Sequence, residues 1–572
     1  MALLQWGPDI TGGKRFHIED PNHEYQEVRR ALHFDRGWTR VGKKEDCDLR
    51  WTLDERAIDF DKLRDDQVVN HYKDIRCLTT KAGLTRTLDE ELKWTASADA
   101  NAFFPRSYAL DDDANRAAFV QDFRRTACCA AVKAFMNNMP ALKKELTVCV
   151  RVCQAWARDL GDSTYEQDDL TDIVWDTLLA YTYKCTSKQK ASTPSLSGSA
   201  TKLVEVEDPI LKQACHRVLA SLKSRHVQYA MDGSRNIWLT KAPEACRGVG
   251  ISLHRKLEEI LEVADRFPGR VAQKYVETNM LWDRRKFDLR CWVLLTGGGA
   301  SDFDAYIYEP LYARLCAKPW SLDDHLLLDE KRHLSNLAVN KGSADNLLGT
   351  QSDLETMVDV EKVKRGIRNI VAALARTAHQ LASTRSRSFE FLGVDIILDD
   401  DAKPWLLECN LSPALARRND AQSKLIDSAL RGCIKRTIDR WCPETAPPPR
   451  DDGWRHLLTI EPAPKLPKRN RALHLNVDAT ALDRSSLVKM DRGSSWLSAY
   501  AILRAWWPRA MVARRVLMVR RGVAALFIQT TVRRWRAACE LRRRQMARRR
   551  FLGAMQARIA CVARRRRQFT RF

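Results

Sequence analysis

The segment Phe391–Leu415, FLGVDIILDDDAKPWLLECNLSPAL, leaves the chain few ways to fold. Two apolar runs, Gly393–Leu398 and Pro404–Cys409, flank the polar turn Asp399–Lys403, which is the pattern of a β-hairpin. Side chains alternate along a strand, so Glu408 and Asn410 share a face and Asp395 stands on the partner strand. Unpaired charge inside apolar runs is costly, which argues against ordinary strand-end acids. Two carboxylates and an amide are hard oxygen donors, too few to enclose a cation alone. That set suits Mg2+ held jointly with phosphates.

Two further blocks carry cations. In KFDLR, Lys286, Asp288 and Arg290 fall on one strand face, with Phe287 and Leu289 on the other. Such a face can grip phosphate, sugar or carboxylate, although a solvated strand face gives the same pattern. In IWLTKAPEACRGVGISL, an apolar strand ends at Lys241, and the following loop carries Arg247, Gly248 and Gly250. A lysine leaving a strand before a glycine-bearing loop can hold phosphates. The spacing is neither a Walker A nor a dinucleotide-binding turn.

The rest of the chain bounds the setting. No apolar run reaches the ~18–20 residues of a bilayer span. Met1–Lys14 lacks a signal pattern, so a soluble chain is expected. The sixteen cysteines are scattered without paired metal spacing, as free thiols in a reducing cytoplasm are. The net charge is +23, but residues 501–572 hold twenty-one Arg against one acid, Glu540, and no Lys. The body is therefore nearly balanced and the tail is a separate basic device. A long helix is expected near Ala114–Met139, and the polar stretch Lys188–Thr201 reads as a loop. From Ile237 to about Arg440 strand and helix signals alternate, as in α/β or α+β folds.

Taken in order, these blocks resemble the tubulin–tyrosine-ligase-like family from about Val28 to Asp427. The resemblance runs through DLRWT, NHYKDIRCLTTKAGL, FFPRSYAL, WLTKAPEACRGVGI, VAQKYVETNMLWDRRKFDLRCWVLLTG, YIYEPLYARLCAKPWS, HLSNLAVNK and the hairpin. It implies an α+β fold with an ATP-grasp catalytic core and a smaller N-terminal α/β domain, to which the Arg-rich composition beyond Trp496 adds a basic helical tail. The expected divisions are 1–155, 156–300, 301–440, a Pro-rich linker at 441–495 and the tail at 496–572. The resemblance implies ATP and Mg2+ as cofactors. Lys241 would meet the α/β-phosphates, with Arg247 and Gly248 beside it. Gln273, Lys274, Tyr275 and Val276 would form the hinge around adenine. Lys286, Asp288 and Arg290 would face phosphate, ribose and acceptor. Arg314 would bind phosphate, and Ser335 and Asn336 would stand near the nucleotide. Asp395, Glu408 and Asn410 would be the Mg2+ ligands. Lys81, Arg290 and Glu408 would be catalytic, Lys81 reaching in from the N-terminal domain.

The implied activity is an ATP-dependent ligase joining an amino acid to glutamate side chains of tubulin tails through an acyl-phosphate. LTTKAGL, FFPRSYAL and FVQDFRRTA look most like the glycine-adding branch, whereas the carboxy-terminal blocks look at least as much like glutamate ligases. Glycine is the favoured donor and a polyglutamylase the alternative. A catalytically silent microtubule-binding protein and a ligase for small peptides are the rivals. In the tail, Ile528–Ala538 resembles an IQ motif, with Arg534 and Ala538 departing from it. A basic amphipathic helix suits a calmodulin-like protein first, acidic tubulin tails or microtubules second, and nucleic acid or disorder last. The expected location is the cytoplasm and cytoskeleton, at a cilium or flagellum.

Overall fold

The computed structural model describes residues 13–462, apart from 22, 43–45, 90–98, 161–169, 188–207, 245–247, 337, 341, 343–346, 418 and 447–451. The polar loop, Arg247 and the basic tail with its IQ-like segment lie outside the described residues. Residues 1–93 and 100–467 form one compact unit, which holds every described residue except Asp99.

The N-terminal part is a parallel sheet of β1 (Arg15–Ile18), β2 (Thr39–Arg40), β3 (Leu49–Trp51) and β4 (Val68–Val69), in the order β2-β1-β3-β4. Helix α1 (Gln26–Arg36) makes the first crossover and ends at Gly37 in the left-handed region. Beyond β4 come two short helices, α2 (Arg76–Thr79) and α3 (Lys81–Thr87). The Thr80 hydroxyl accepts from the Gly83 amide and caps α3. A Cβ on Gly83 would lie 2.3 Å from the Arg76 carbonyl oxygen, so glycine permits this corner.

Four helices follow: α4 (Asp113–Met136), α5 (Lys143–Asp159), α6 (Asp172–Cys185) and α7 (Pro209–Arg225). Asp112 and Asp208 cap α4 and α7. Cys128 and Cys129 lie in the shared core of these helices, and every described cysteine is a free thiol. The second sheet has β5 (Ser107–Ala109), β6 (Trp238–Lys241), β7 (Ser252–His254) and β8 (Val271–Lys274), antiparallel in the order β5-β8-β6-β7. Phe119 of α4 packs edge-on to Trp238, centroids 5.1 Å apart, and α8 (Leu257–Arg266) joins this core.

The third sheet holds β9 (Leu281–Trp282), β10 (Arg285–Gly297), β11 (Phe303–Tyr308), β12 (Tyr312–Leu315), β13 (Leu348–Thr350), β14 (Phe389–Leu398), β15 (Pro404–Leu411) and β16 (Trp454–Ile460). The long strand β10 pairs with β9, β11, β12 and β14, all antiparallel. The short α9 (Glu330–His333) and α10 (Gln351–Glu355) precede α11 (Val360–Leu381) and α12 (Asp420–Trp441), whose apolar faces are buried. Among the described residues no helix is long and apolar enough to cross a membrane.

The hairpin forms as its sequence requires. The Asp399 carboxylate accepts from the Asp401 and Lys403 amides and from Trp405 Nε1, which fixes the turn. A bulge then shifts the register: Ile396 faces Leu406 and Asp395 faces Glu408, leaving Leu407 without a partner. The parallel sheet is tied to β14 by His71 Nδ1, 2.8 Å from Glu390 Oε1, both fully buried.

Three expectations are corrected. The stretch 441–495 is not only linker: residues 454–460 form β16, paired with β11. Trp454 is buried there and its Nε1 donates to the Ala429 carbonyl. The boundary at 155 falls within helix α5 (Lys143–Asp159) and separates β5 from its partner β8. The boundary at 300 divides the β10–β11 hairpin.

Candidate functional site

Alternation on β10 sets Lys286, Asp288 and Arg290 on one face, and neighbouring strands supply their partners. Arg314 on β12 faces Asp288, donating from Nε at 2.6 Å and Nη2 at 2.8 Å. Asp395 on β14 faces Arg290 and accepts from its Nε at 2.6 Å. Arg314 Nη2 is also 2.9 Å from Asp395 Oδ2, and the Ser335 hydroxyl donates to Asp288. Two guanidiniums and two carboxylates thus form one buried, charge-balanced network. Burial acts to raise the Asp395 carboxyl, but Arg290 and Arg314 overcome it and hold the group well below the usual carboxylate range.

The bulge sets Glu408 beside Asp395. Asn410 Nδ2 lies 3.2 Å from both Asp395 Oδ2 and Glu408 Oε1, so the amide bridges the two carboxylates. Lys81 Nζ stands 3.5 Å from Glu408 Oε2. Lys241 Nζ donates to Gln273 Oε1 at 2.5 Å and reaches the bulge carbonyl of Leu407 at 3.5 Å. Burial, reinforced by Lys81 and Lys286 and opposed by Glu408, lowers the Lys241 ammonium to about 8. Burial also lowers Lys286 to about 8, and its ammonium lies 4.3 Å from the Tyr275 ring centroid. Among the described residues no group of three His, Cys, Asp or Glu side chains is placed to hold a metal. The donor set here is two carboxylates and an amide, which fits a hard cation that completes its shell with phosphate oxygens and water.

One cleft unites Lys81, Lys241, Gln273, Glu408 and Asn410, with Thr79, Thr80, Leu84, Thr85, Phe104 and Leu407 also on its wall. Within the hinge segment the side chains differ in role. Lys274 is fully buried, donating to Glu277 Oε1 at 2.7 Å and to the Ile237 carbonyl at 3.0 Å, so its ammonium holds the backbone. The Tyr275 hydroxyl meets His333 Nδ1 and Trp320 Nε1, each at 3.1 Å, and Val276 packs in a small core with Trp405. Gly248 has φ +84, and a Cβ there would lie 2.8 Å from Val339 Cγ2 and 3.3 Å from Asn336 Oδ1. The sequence blocks LTTKAGL and FFPRSYAL pointed at this region, but only Lys81 was singled out from them. Leu84, Thr85, Phe104 and the Leu407 carbonyl carry no chemical signature that spacing reveals.

Residues 169–448 match the tubulin-tyrosine ligase family. Every site residue above from Lys241 to Asn410 lies inside the matched segment, and Lys81 precedes it. The chain is 27% identical over 492 residues to the tubulin monoglycylase TTLL3 of Mus musculus, covering 75% of this chain and 50% of that protein. It is 28% identical over 495 residues to the mouse protein monoglycylase TTLL8, covering 76% of this chain and 57% of that one. With tubulin glycylase 3D of Tetrahymena thermophila the identity is 26% over 500 residues, 73% of this chain and 48% of the other. The chain spans about half the length of these curated relatives. All three are named for glycine addition, the branch that the N-terminal blocks resemble.

Proposed function

We propose that this chain is an ATP- and Mg2+-dependent ligase of ATP-grasp type that adds glycine to glutamate side chains of tubulin C-terminal tails. The observation that carries the reading is the meeting of Lys81, Lys241, Glu408 and Asn410 on one cleft. It is supported by the glycylase names of the relatives. An acceptor carboxylate attacks the γ-phosphorus of ATP, the bond to ADP breaks, and an acyl-phosphate forms. The glycine amine then attacks the acyl carbon and phosphate leaves. Lys241 and Lys286 neutralise phosphate oxygens, and Lys81 holds a carboxylate beside the reacting centre. Asp395, Glu408 and Asn410 would hold Mg2+, which supplies charge neutralisation on the transferred group. Arg290 and Arg314, bound to acids here, are the cations available to a phosphoryl group that displaces them.

The polyglutamylase alternative has no support among these relatives' names. A silent microtubule-binding protein would not need two lysines, two carboxylates and an amide on one cleft. The reading places the protein at the cytoskeleton, at cilia or flagella, with the basic tail as a recruitment device for a calmodulin-like protein or for acidic tubulin tails. The deciding experiment is mass spectrometry of tubulin-tail peptides incubated with the protein, ATP, Mg2+ and equal glycine and glutamate. ATP-dependent glycine increments are expected. Glutamate increments alone would reassign the donor, and no increment with any donor would leave the silent binder.

A further inference from the structure

Resting on the reading above, we infer that helix α3 sets donor choice: Leu84, Thr85 and Phe104 wall the cleft against any donor amino acid that carries a side chain. Lys81 opens α3, and residues three and four further on lie on the same helix face, one turn along. Those residues are Leu84 and Thr85, both buried and both on the cleft wall, with Phe104 and Val271 beside them. Among the described residues lining the cleft, the cations are Lys81 and Lys241. Lys241 is directed to Gln273 and the Leu407 carbonyl, on the phosphate side. A donor's α-carboxylate therefore pairs with Lys81.

Glycine brings one carboxylate and nothing else. Glutamate brings a second, which one helical turn beyond Lys81 meets a leucine, a threonine and a phenylalanine. A carboxylate buried there without a cation is strongly disfavoured. Leu84 and Phe104 are packed at 2% and 8% exposure, so neither yields readily to a donor side chain directed at this wall. The wall thus rejects by charge and by space together.

The test gives wild type, Leu84→Ala and Thr85→Lys a tubulin-tail peptide, ATP, Mg2+ and equal glycine, alanine and glutamate, and reads the products by mass. Wild type should add glycine. Leu84→Ala should raise alanine relative to glycine by about ten-fold, and Thr85→Lys should do the same for glutamate by supplying the second cation. Saturation-transfer NMR of each donor, with a non-hydrolysable ATP analogue present, reads the same preferences in a variant whose turnover is lost. If wild type adds glycine while both variants keep wild-type ratios in products and binding, the wall is overturned and the glycine ligase stands. If wild type adds glutamate alone, or nothing, the functional reading falls and the wall with it.

Discussion

Lys81 Nζ stands 3.5 Å from Glu408 Oε2, so a cation carried by α3 meets a carboxylate carried by the β14–β15 hairpin. The two are far apart in the chain, and the buried His71–Glu390 pair helps lock the segments that bear them together. Glu408→Gln keeps the shape but removes the charge that both Lys81 and a bound cation require. Ligation should fall by about 10^2-fold or more with the fold retained. Near-normal turnover of that variant at low Mg2+ would remove Glu408 from the metal site.

The two cleft lysines should separate kinetically. Lys241→Met should weaken ATP binding by about 10- to 100-fold, the worth of a charge-assisted bond. Lys81→Ala should lower kcat and leave nucleotide affinity near wild type. Calorimetric titration with a non-hydrolysable analogue checks both. Unchanged affinity in the first variant, or a large loss in the second, contradicts the assignments.

Nucleotide binding should take up protons at mildly alkaline pH. Burial lowers Lys241 and Lys286 to about 8, so both shed protons above that pH in the ligand-free protein. Bound phosphate favours the charged forms and draws protons back. ATP affinity should fall as pH rises above about 8, and titration at pH near 8.5 in buffers of different ionisation heat should show proton uptake. For folding the sign is opposite. An unfolded lysine keeps its proton up to 10.5, so these two groups add stability as pH rises from about 8 to 10.5. Below about 8 their burial penalty is present in full. No uptake near pH 8.5 would show that neither lysine meets phosphate.

Lys274 should behave as a structural residue. Glu277→Ala would strand its ammonium and leave the Arg235 and Ile237 amides without their acceptor. Unfolding free energy should drop by about 3–5 kcal/mol. Denaturant melts measure this. A stable Glu277→Ala variant with selectively weakened ATP binding would instead make Lys274 a ligand contact.

Where the chain is shortened should matter. Ending it at Cys442 removes β16 and the buried Trp454, exposing the edge of β11. Loss of a buried Trp alone costs about 3–5 kcal/mol. A chain ending at Pro462 keeps the strand and should keep wild-type melting behaviour. Equal melting temperatures for the two truncations would show that β16 contributes nothing.

The hairpin and its three oxygen side chains were legible because alternation, turn residues and embedded acids are all local signals. The pairing of Asp288 with Arg314 was not, since it depends on which strand lies next to β10. Each residue was assigned separately to a ligand, whereas the fold neutralises them against each other. Strand β16 escaped notice because it is an edge strand whose Arg455 and His456 face water, set among prolines. Its pairing is made by backbone, which composition does not report. The burial of Lys274 was not legible for a related reason: a lysine in a hinge block looks free until the acid three residues on is seen to be buried with it.

Leu407 is the extra residue of the hairpin, set between Leu406 and Glu408 with no residue opposite it. Many side chains at 407 could be accommodated, because what Lys241 receives from this residue is a carbonyl oxygen. Removing the residue would let Glu408 follow Leu406 directly and still stand opposite Asp395, since only the bulge would be lost. What would go with it is the carbonyl that Lys241 reaches. The two acids depend on the ladder, and the lysine on the one residue that the ladder does not count.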